Sequence, residues 1–247
     1  MRKITYILTI SVLFFSCSDV NNNISSLSYL PPESEVILNI NNLSNTKEIL
    51  SKNKNLDNIL SSKSKILKQL YSLSNKNSNN SGLLSLTPFG KNQIAYTYIR
   101  ETNTQDSISE SDVKKGKYQK NKIFIDTTLS KEVYKTIIGN YTISSNQDII
   151  LENIIRDHNK TNKKIDSDFY KLVKAADKSD PFNTFTITKK SNLLENILNN
   201  LSFFPGLYDS WVSYDFKYSL EEVNMSGATR INDSINSKLS ILKNIFP

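Results

Sequence analysis

The sequence predicts an α+β fold: a mostly antiparallel sheet with helices packed on one face, a C-terminal hairpin and a closing helix. Three observations predict it. Short runs with an apolar residue at every second position alternate with longer runs whose apolar residues fall three and four apart, the periods of strand and helix. Near the C-terminus two strand-like runs stand almost together, WVSYDFKY (211–218) and EVNMSGATR (222–230), which reads as a hairpin turning at Ser219–Glu221. Finally, 247 residues with 12 Tyr and 11 Phe can fill a real core, although apolar content is only 38%.

The elements follow in order. After Tyr29-Leu30-Pro31-Pro32, the run EVILNI (35–40) is a strand with Val36, Leu38 and Ile40 on one face. Asn41 to Asn45 turns the chain into helical periodicity from Thr46 to about Leu73, broken around Lys52 to Asn55. Asn75 to Gly82 is a polar loop, and Pro88 to Gly90 a turn. QIAYTYI (93–99) is the second strand. Residues 100–122 are charged and nearly free of apolar side chains, the composition of an exposed loop. Ile123-Phe124-Ile125 is a short strand, followed by a mixed segment to Ile138. NYTIS (140–144) is another, leading into a helix from Asn146 to about His158.

A helix from Ser167 to Ala176 begins beside Asp166 and Asp168, the residue type that caps helices and complements their dipole. Asn183 to Thr188 is a strand, Ser191 to Leu201 a helix, and Asp233-Ser234 caps a last helix, Ile235 to Ile245. VILNINNLSNTKEIL from Val36, YTISSNQDIILENII from Tyr141 and FTITKKSNLLENIL from Phe185 share one plan of strand, polar turn and helix. That pattern fits an internal duplication or the commonness of the plan in an Asn- and Ile-rich chain.

Thirty-one basic and 24 acidic residues give a formal charge of +7. The cations are nearly all Lys, spread singly or in pairs, with Arg only at Arg2, Arg100, Arg156 and Arg230. Nucleic-acid readout leans on Arg forks and on a basic stripe, so no nucleic-acid partner is expected.

The N-terminus is the most informative stretch. Arg2 and Lys3 precede an apolar run, Ile4 to Phe15, that is shorter than a membrane span needs; Ser16 and the only cysteine, Cys17, follow. This order resembles the bacterial lipoprotein signal, with Phe14 at the position where such signals usually carry an aliphatic residue. The resemblance implies a signal peptide at 1–16, cut before a lipidated Cys17, a tether at 17–28, and an α+β domain at 29–247. It also implies a cell-envelope lipoprotein tied to the outer membrane through that lipid, with the periplasmic or surface face left open. Several acyl chains at about 0.8 kcal/mol per buried methylene make such an anchor durable.

Catalytic inventory is thin. With Cys17 lipidated no thiol remains, and a single histidine, His158, sits at the polar end of a helix, where a solvated role is expected. Zinc wants several His or Cys ligands, and Gly-rich phosphate loops and nucleophile elbows do not occur in the sequence, so no cofactor and no metal are expected. Carboxylate chemistry is what remains, with Asp166 and Asp168 or Glu221 and Glu222 as the visible pairs; their places at helix starts and turns suit capping and solubility. Trp211 opens a strand, the position of a packing residue or of a ligand contact.

YLPPESEVILNINNL and the closing SWVSYDFKYSLEEVNMSGATRINDSINSKLSILKNIFP resemble envelope lipoproteins of the Bacteroidetes type, of no assigned activity. Longer members of that type continue past a proline like Pro247, so a short or truncated member is expected. The reading is a non-catalytic binding or assembly module whose partner is an envelope protein or glycan. A carboxylate-dependent hydrolase of envelope polymers is the alternative.

Overall fold

The structure is a computed structural model. It describes residues 26–52, 81–91, 93–102, 112–126, 132–160, 165–177, 182–187, 211–218 and 223–229. The expected signal peptide, Cys17, the expected closing helix, the expected Ser191–Leu201 helix and Glu221–Glu222 lie outside them.

Ten strands form one sheet, and every neighbouring pair is antiparallel. In chain order they are β1 (Val36–Ile40), β2 (Gly82–Phe89), β3 (Gln93–Glu101), β4 (Asp112–Tyr118), β5 (Asn121–Asp126), β6 (Val133–Ile138), β7 (Tyr141–Ser145), β8 (Phe182–Ile187), β9 (Trp211–Tyr218) and β10 (Val223–Thr229). Across the sheet they run β10-β9-β8-β1-β2-β3-β7-β6-β5-β4. Three helices are described: α1 (Leu43–Lys52), α2 (Asp148–His158) and α3 (Ser167–Ala175). The α+β class and the C-terminal hairpin are therefore present.

The sheet is apolar on both sides. On one, Ile37, Leu83, Ile99, Ile143 and Tyr141 are buried under Ile150, Leu151, Ile154 and Ile155 of α2 and Phe169 and Leu172 of α3. Each fully buried Ile or Leu stabilises this layer by about 1.5–3 kcal/mol. On the other side, Val36, Ile40, Leu84, Leu86, Tyr96 and Tyr98 pack with Leu43 from the first turn of α1. Val36 and Ile40 share that face with Leu38, as their period of two requires. The expected packing on one face holds for α2 and α3, and Leu43 reaches the face opposite.

α1 begins at Leu43, not Thr46, because the Asn42 side chain accepts from the Asn45 backbone N–H (2.9 Å) and starts the helix there. The expected exposed loop over residues 100–122 is corrected at its two ends, and residues 103–111 lie outside the described residues. Arg100 and Glu101 belong to β3, and Asp112–Tyr118 is the edge strand β4, paired with β5. Its lysines are what an edge strand carries to discourage further pairing. The ladder slips between Lys114 and Gly116, so Lys115 is an inserted residue. The bulge aims Lys115 at the Asp148 carboxylate, with its ammonium 4.3 Å from the centre of the Tyr134 ring.

The folded unit starts inside the expected tether. Ser26 is 8% exposed and Leu27 2%, and Leu27, Tyr29 and Leu30 belong to the α2-side core.

Candidate functional site

On the α2 side of the sheet a cleft of about 480 Å³ opens between segments far apart in sequence. Ile37 of β1, Trp211 of β9 and Phe169 of α3 line it from the core. Leu27, Leu30, Pro31, Pro32 and Ser34 form the N-terminal wall, and Asp157, Lys160, Ile165 and Asp166 the rim. The volume lies in the range of about 300–1,000 Å³ that small-ligand sites occupy.

Each wall is fixed by local chemistry. The N-terminal segment turns through Tyr29 N–H to Ser26 O (3.1 Å) and Leu30 N–H to Leu27 O (3.2 Å). Ser34 Oγ donates to Pro31 O at 2.6 Å and lies 2.6 Å from Ser85 Oγ, which ties the segment to β2. Tyr29 packs on Tyr141, with ring centres 5.1 Å apart, and stacks on His158 at 4.9 Å. Burial, and then the neighbouring Tyr141, push the Tyr29 phenol above its ordinary range. On the opposite wall, Asp166 caps α3 by accepting from the N–H groups of Asp168 (2.9 Å) and Phe169 (3.0 Å). That cap presents Phe169 to the half-buried Trp211, with ring centres 4.5 Å apart. On the rim, Lys160 Nζ donates to the Asp157 carboxylate at 2.7 Å.

The polar groups around this apolar hollow are thus already engaged. Ser34 bonds to Pro31, Asp157 to Lys160, and Asp166 to the start of α3. Most of the surface the cleft offers a ligand is hydrocarbon and aromatic, with the Asp157, Lys160 and Asp166 side chains holding further hydrogen-bond capacity at the rim.

The residues singled out from sequence are placed as follows. Asp166 reaches the rim, whereas Asp168 is half-buried in the first turn of α3 and does not line the cleft. His158 is exposed at the end of α2, with its ring on Tyr29, and does not line the cleft. Trp211 packs on Phe169, and it also lines the cleft. Cys17 lies outside the described residues. Sequence reasoning missed Leu27, Leu30, Ser34, Asp157 and Lys160. The one available signal was the apolar cluster Leu27-Tyr29-Leu30 before Pro31-Pro32, too dense for a solvated tether. Among the described residues, no three His, Cys, Asp or Glu gather as a metal site would need, and no helix is long and apolar enough to cross a membrane.

No protein-family model matches the chain. No curated protein matches it either. A solved structure similar in outline is "Structure of crystal form I of TP0453". The alignment is 10% identical, covers 89% of this chain and 84% of that one, and has a TM-score of 0.45, too slight a likeness to carry a function across.

Proposed function

We propose that this protein is a cell-envelope lipoprotein, tied to the outer membrane through a lipid on Cys17, and that it works as a non-catalytic binding module. The observation that carries the binding reading is the cleft: a preformed apolar hollow whose few polar groups are already hydrogen-bonded. A glycan would need polar partners along the aromatic platform itself, not only at its rim. An apolar side chain of an envelope protein needs only the surface offered here. The resemblance to Bacteroidetes-type envelope lipoproteins supports the address. The wall segment also follows Cys17 closely: the ten residues from Cys17 to Leu27 span at most about 35 Å, which keeps the cleft near the bilayer.

The test is a cross-linked pull-down from intact envelopes, comparing the parent protein with Ile165→Glu, which sets a charge in the cleft wall. Trp211 is the chain's only tryptophan and lines the cleft, so its emission reports occupancy directly. One dominant partner, lost with Ile165→Glu and shifting Trp211 emission in the parent, is expected. Equal recovery of the partner by both proteins would sink the reading. For the anchor, Cys17→Ala should leave the membrane fraction, and unchanged fractionation would refute lipidation.

A second reading, a carboxylate-dependent hydrolase of envelope polymers, is favoured by one fact: Asp157 and Asp166 share the cleft. It requires turnover of a polymer that either Asp157→Asn or Asp166→Asn abolishes in a protein that stays folded.

A further inference from the structure

The two edges of the sheet are built differently. At one edge, β4 carries Lys114, Lys115 and Lys117 and is interrupted by the bulge at Lys115, which bars a regular partner strand. At the other edge, β10 reads VNMSGAT, with no charged residue and no proline, and its pairing to β9 runs without a slip from Val223 to Thr229. Asn224, Ser226, Gly227 and Ala228 are exposed. Among the described residues β10 has no neighbour beyond it, and a long, regular, uncharged edge is a template for another strand.

We propose that β10 pairs antiparallel with β10 of a second copy of this chain, so that two sheets become one. A second copy is the occupant the geometry fits, for two reasons. Full overlap of a seven-residue strand with itself puts the two-fold axis at its middle residue, Ser226. Ser226 then faces its own counterpart, Asn224 faces Ala228 of the second copy, and no charge meets a like charge. The second reason is orientation. Two neighbouring antiparallel strands are related by an axis perpendicular to the sheet, which keeps each face on its own side. The register Ile37↔Phe185↔Ser213↔Ala228 carries the α2 side out to β10. The N-terminal segment packs on that same side. Both chains therefore carry the segment from Leu27 to Leu30 on the same face of the joined sheet, as two copies attached to one membrane would under the reading proposed above, on which this inference rests.

The chain already performs this operation within itself. β1 and β8 are adjacent and antiparallel, and each is followed outward by two further strands, β2 and β3 on one side and β9 and β10 on the other. One strand edge buries far less than the roughly 1,200–2,000 Å² of a stable complex. Association thus depends on the high local concentration that attachment to a surface provides.

The test is thiol cross-linking of full-length protein in intact envelopes with a short bifunctional reagent. Ser226→Cys is compared with Asn224→Cys, Ala228→Cys, Val113→Cys on the β4 edge, and the parent chain. The parent sets the background and shows separately whether Cys17 itself is reactive. Dimer is expected from Ser226→Cys alone, because like positions at 224 or at 228 lie about 14 Å apart along the strands. In the Ser226→Cys background, Asn224→Lys with Ala228→Lys opposes like charges twice and should cut the dimer about fivefold, whereas Asn224→Lys with Ala228→Glu should keep it. Equal yields from all four positions would mean random collision, dimer from Val113→Cys alone would mean the other edge, and no dimer anywhere would mean no pairing; each overturns the proposal.

Discussion

Asp166 belongs to both the architecture and the chemistry of the cleft, and two substitutions separate them. Its carboxylate accepts from two backbone N–H groups, at 2.9 and 3.0 Å, that otherwise have no partner within α3. Asp166→Ala leaves them bare and should cost about 1 kcal/mol, within the 0.5–2 kcal/mol range for lost caps. Asp166→Asn keeps an oxygen in place and loses only the attraction of the charge for the helix start, about 0.3–0.5 kcal/mol at an exposed site screened by salt. For a domain this long, 1 kcal/mol moves Tm by about 2–4 °C, so the alanine variant should melt a few degrees lower and the asparagine variant within about 2 °C of the parent. The assay is thermal unfolding followed by Trp211 emission, which senses α3 directly because the Trp211 ring lies 4.5 Å from Phe169. If the two variants lost equal stability, the capping oxygen would not be the cause. If alanine cost nothing, α3 would not be held by this residue. Partner binding should survive in Asp166→Asn, whereas the hydrolase reading requires that variant to be inactive.

Other expectations follow from single sites. In the β4–β5 turn, Gln119 and Lys120 both have positive φ, 42° and 73°. Lys120→Gly should relieve about 1–2 kcal/mol of left-handed strain against about 0.5–1 kcal/mol of added chain entropy, a small net gain in urea midpoint that Lys120→Ala should not show. Gln119 is the wrong residue to replace, because its side-chain oxygen accepts from Asn159 at 3.0 Å and fastens the turn to the end of α2. Tyr96 is pushed up to about 12 by burial and then by the charge of Asp126. A raised folded value favours the protonated form, so this stability is full below the ordinary tyrosine range and lost as pH climbs through 12. Wild type minus Tyr96→Phe should therefore lose about 2–3 kcal/mol in denaturation midpoints measured from about pH 9 to pH 12, and a flat difference would refute it. Leu27→Ala should destabilise by about 2 kcal/mol or more if the folded unit includes Leu27, but by nothing measurable if the residue belongs to a free tether.

The elements legible in the sequence were those with one solvated face or one clear cap. The β9–β10 hairpin alternates, α2 and α3 show helical spacing, and Asp166 announced its cap, while β1, covered on both faces, was marked by its apolar run after Pro31-Pro32. β2 did not alternate, since GLLSLTPF lies in mid-sheet with both faces covered and reads as a short apolar run ending in a turn signal. Pro88 is tolerated there because it lies beyond the end of the pairing with β1. β6, VYKTII, contributes to both layers for the same reason. β4 hid behind the lysines that protect an edge. The cleft was illegible because residues near 30, 160 and 211 meet only through the topology, and no local pattern announces a meeting of that kind.

The pairing of β1 with β8 also governs how the chain can fold. It joins Val36 to Thr186 at the centre of the sheet, while β1, β2 and β3 and the run from β4 to β7 pair between nearer segments. A contact that distant in sequence forms slowly, after the local ones. During synthesis, which delivers the N-terminus first, the earlier strands can assemble while β8 is still to come. Until β8 arrives, the outer edge of β1 stands bare in the middle of the future sheet. That interval is when the protein is most exposed to mispairing and most in need of a holding factor. The seam that unites the fold thus closes only after the strands on the other side of β1 are in place.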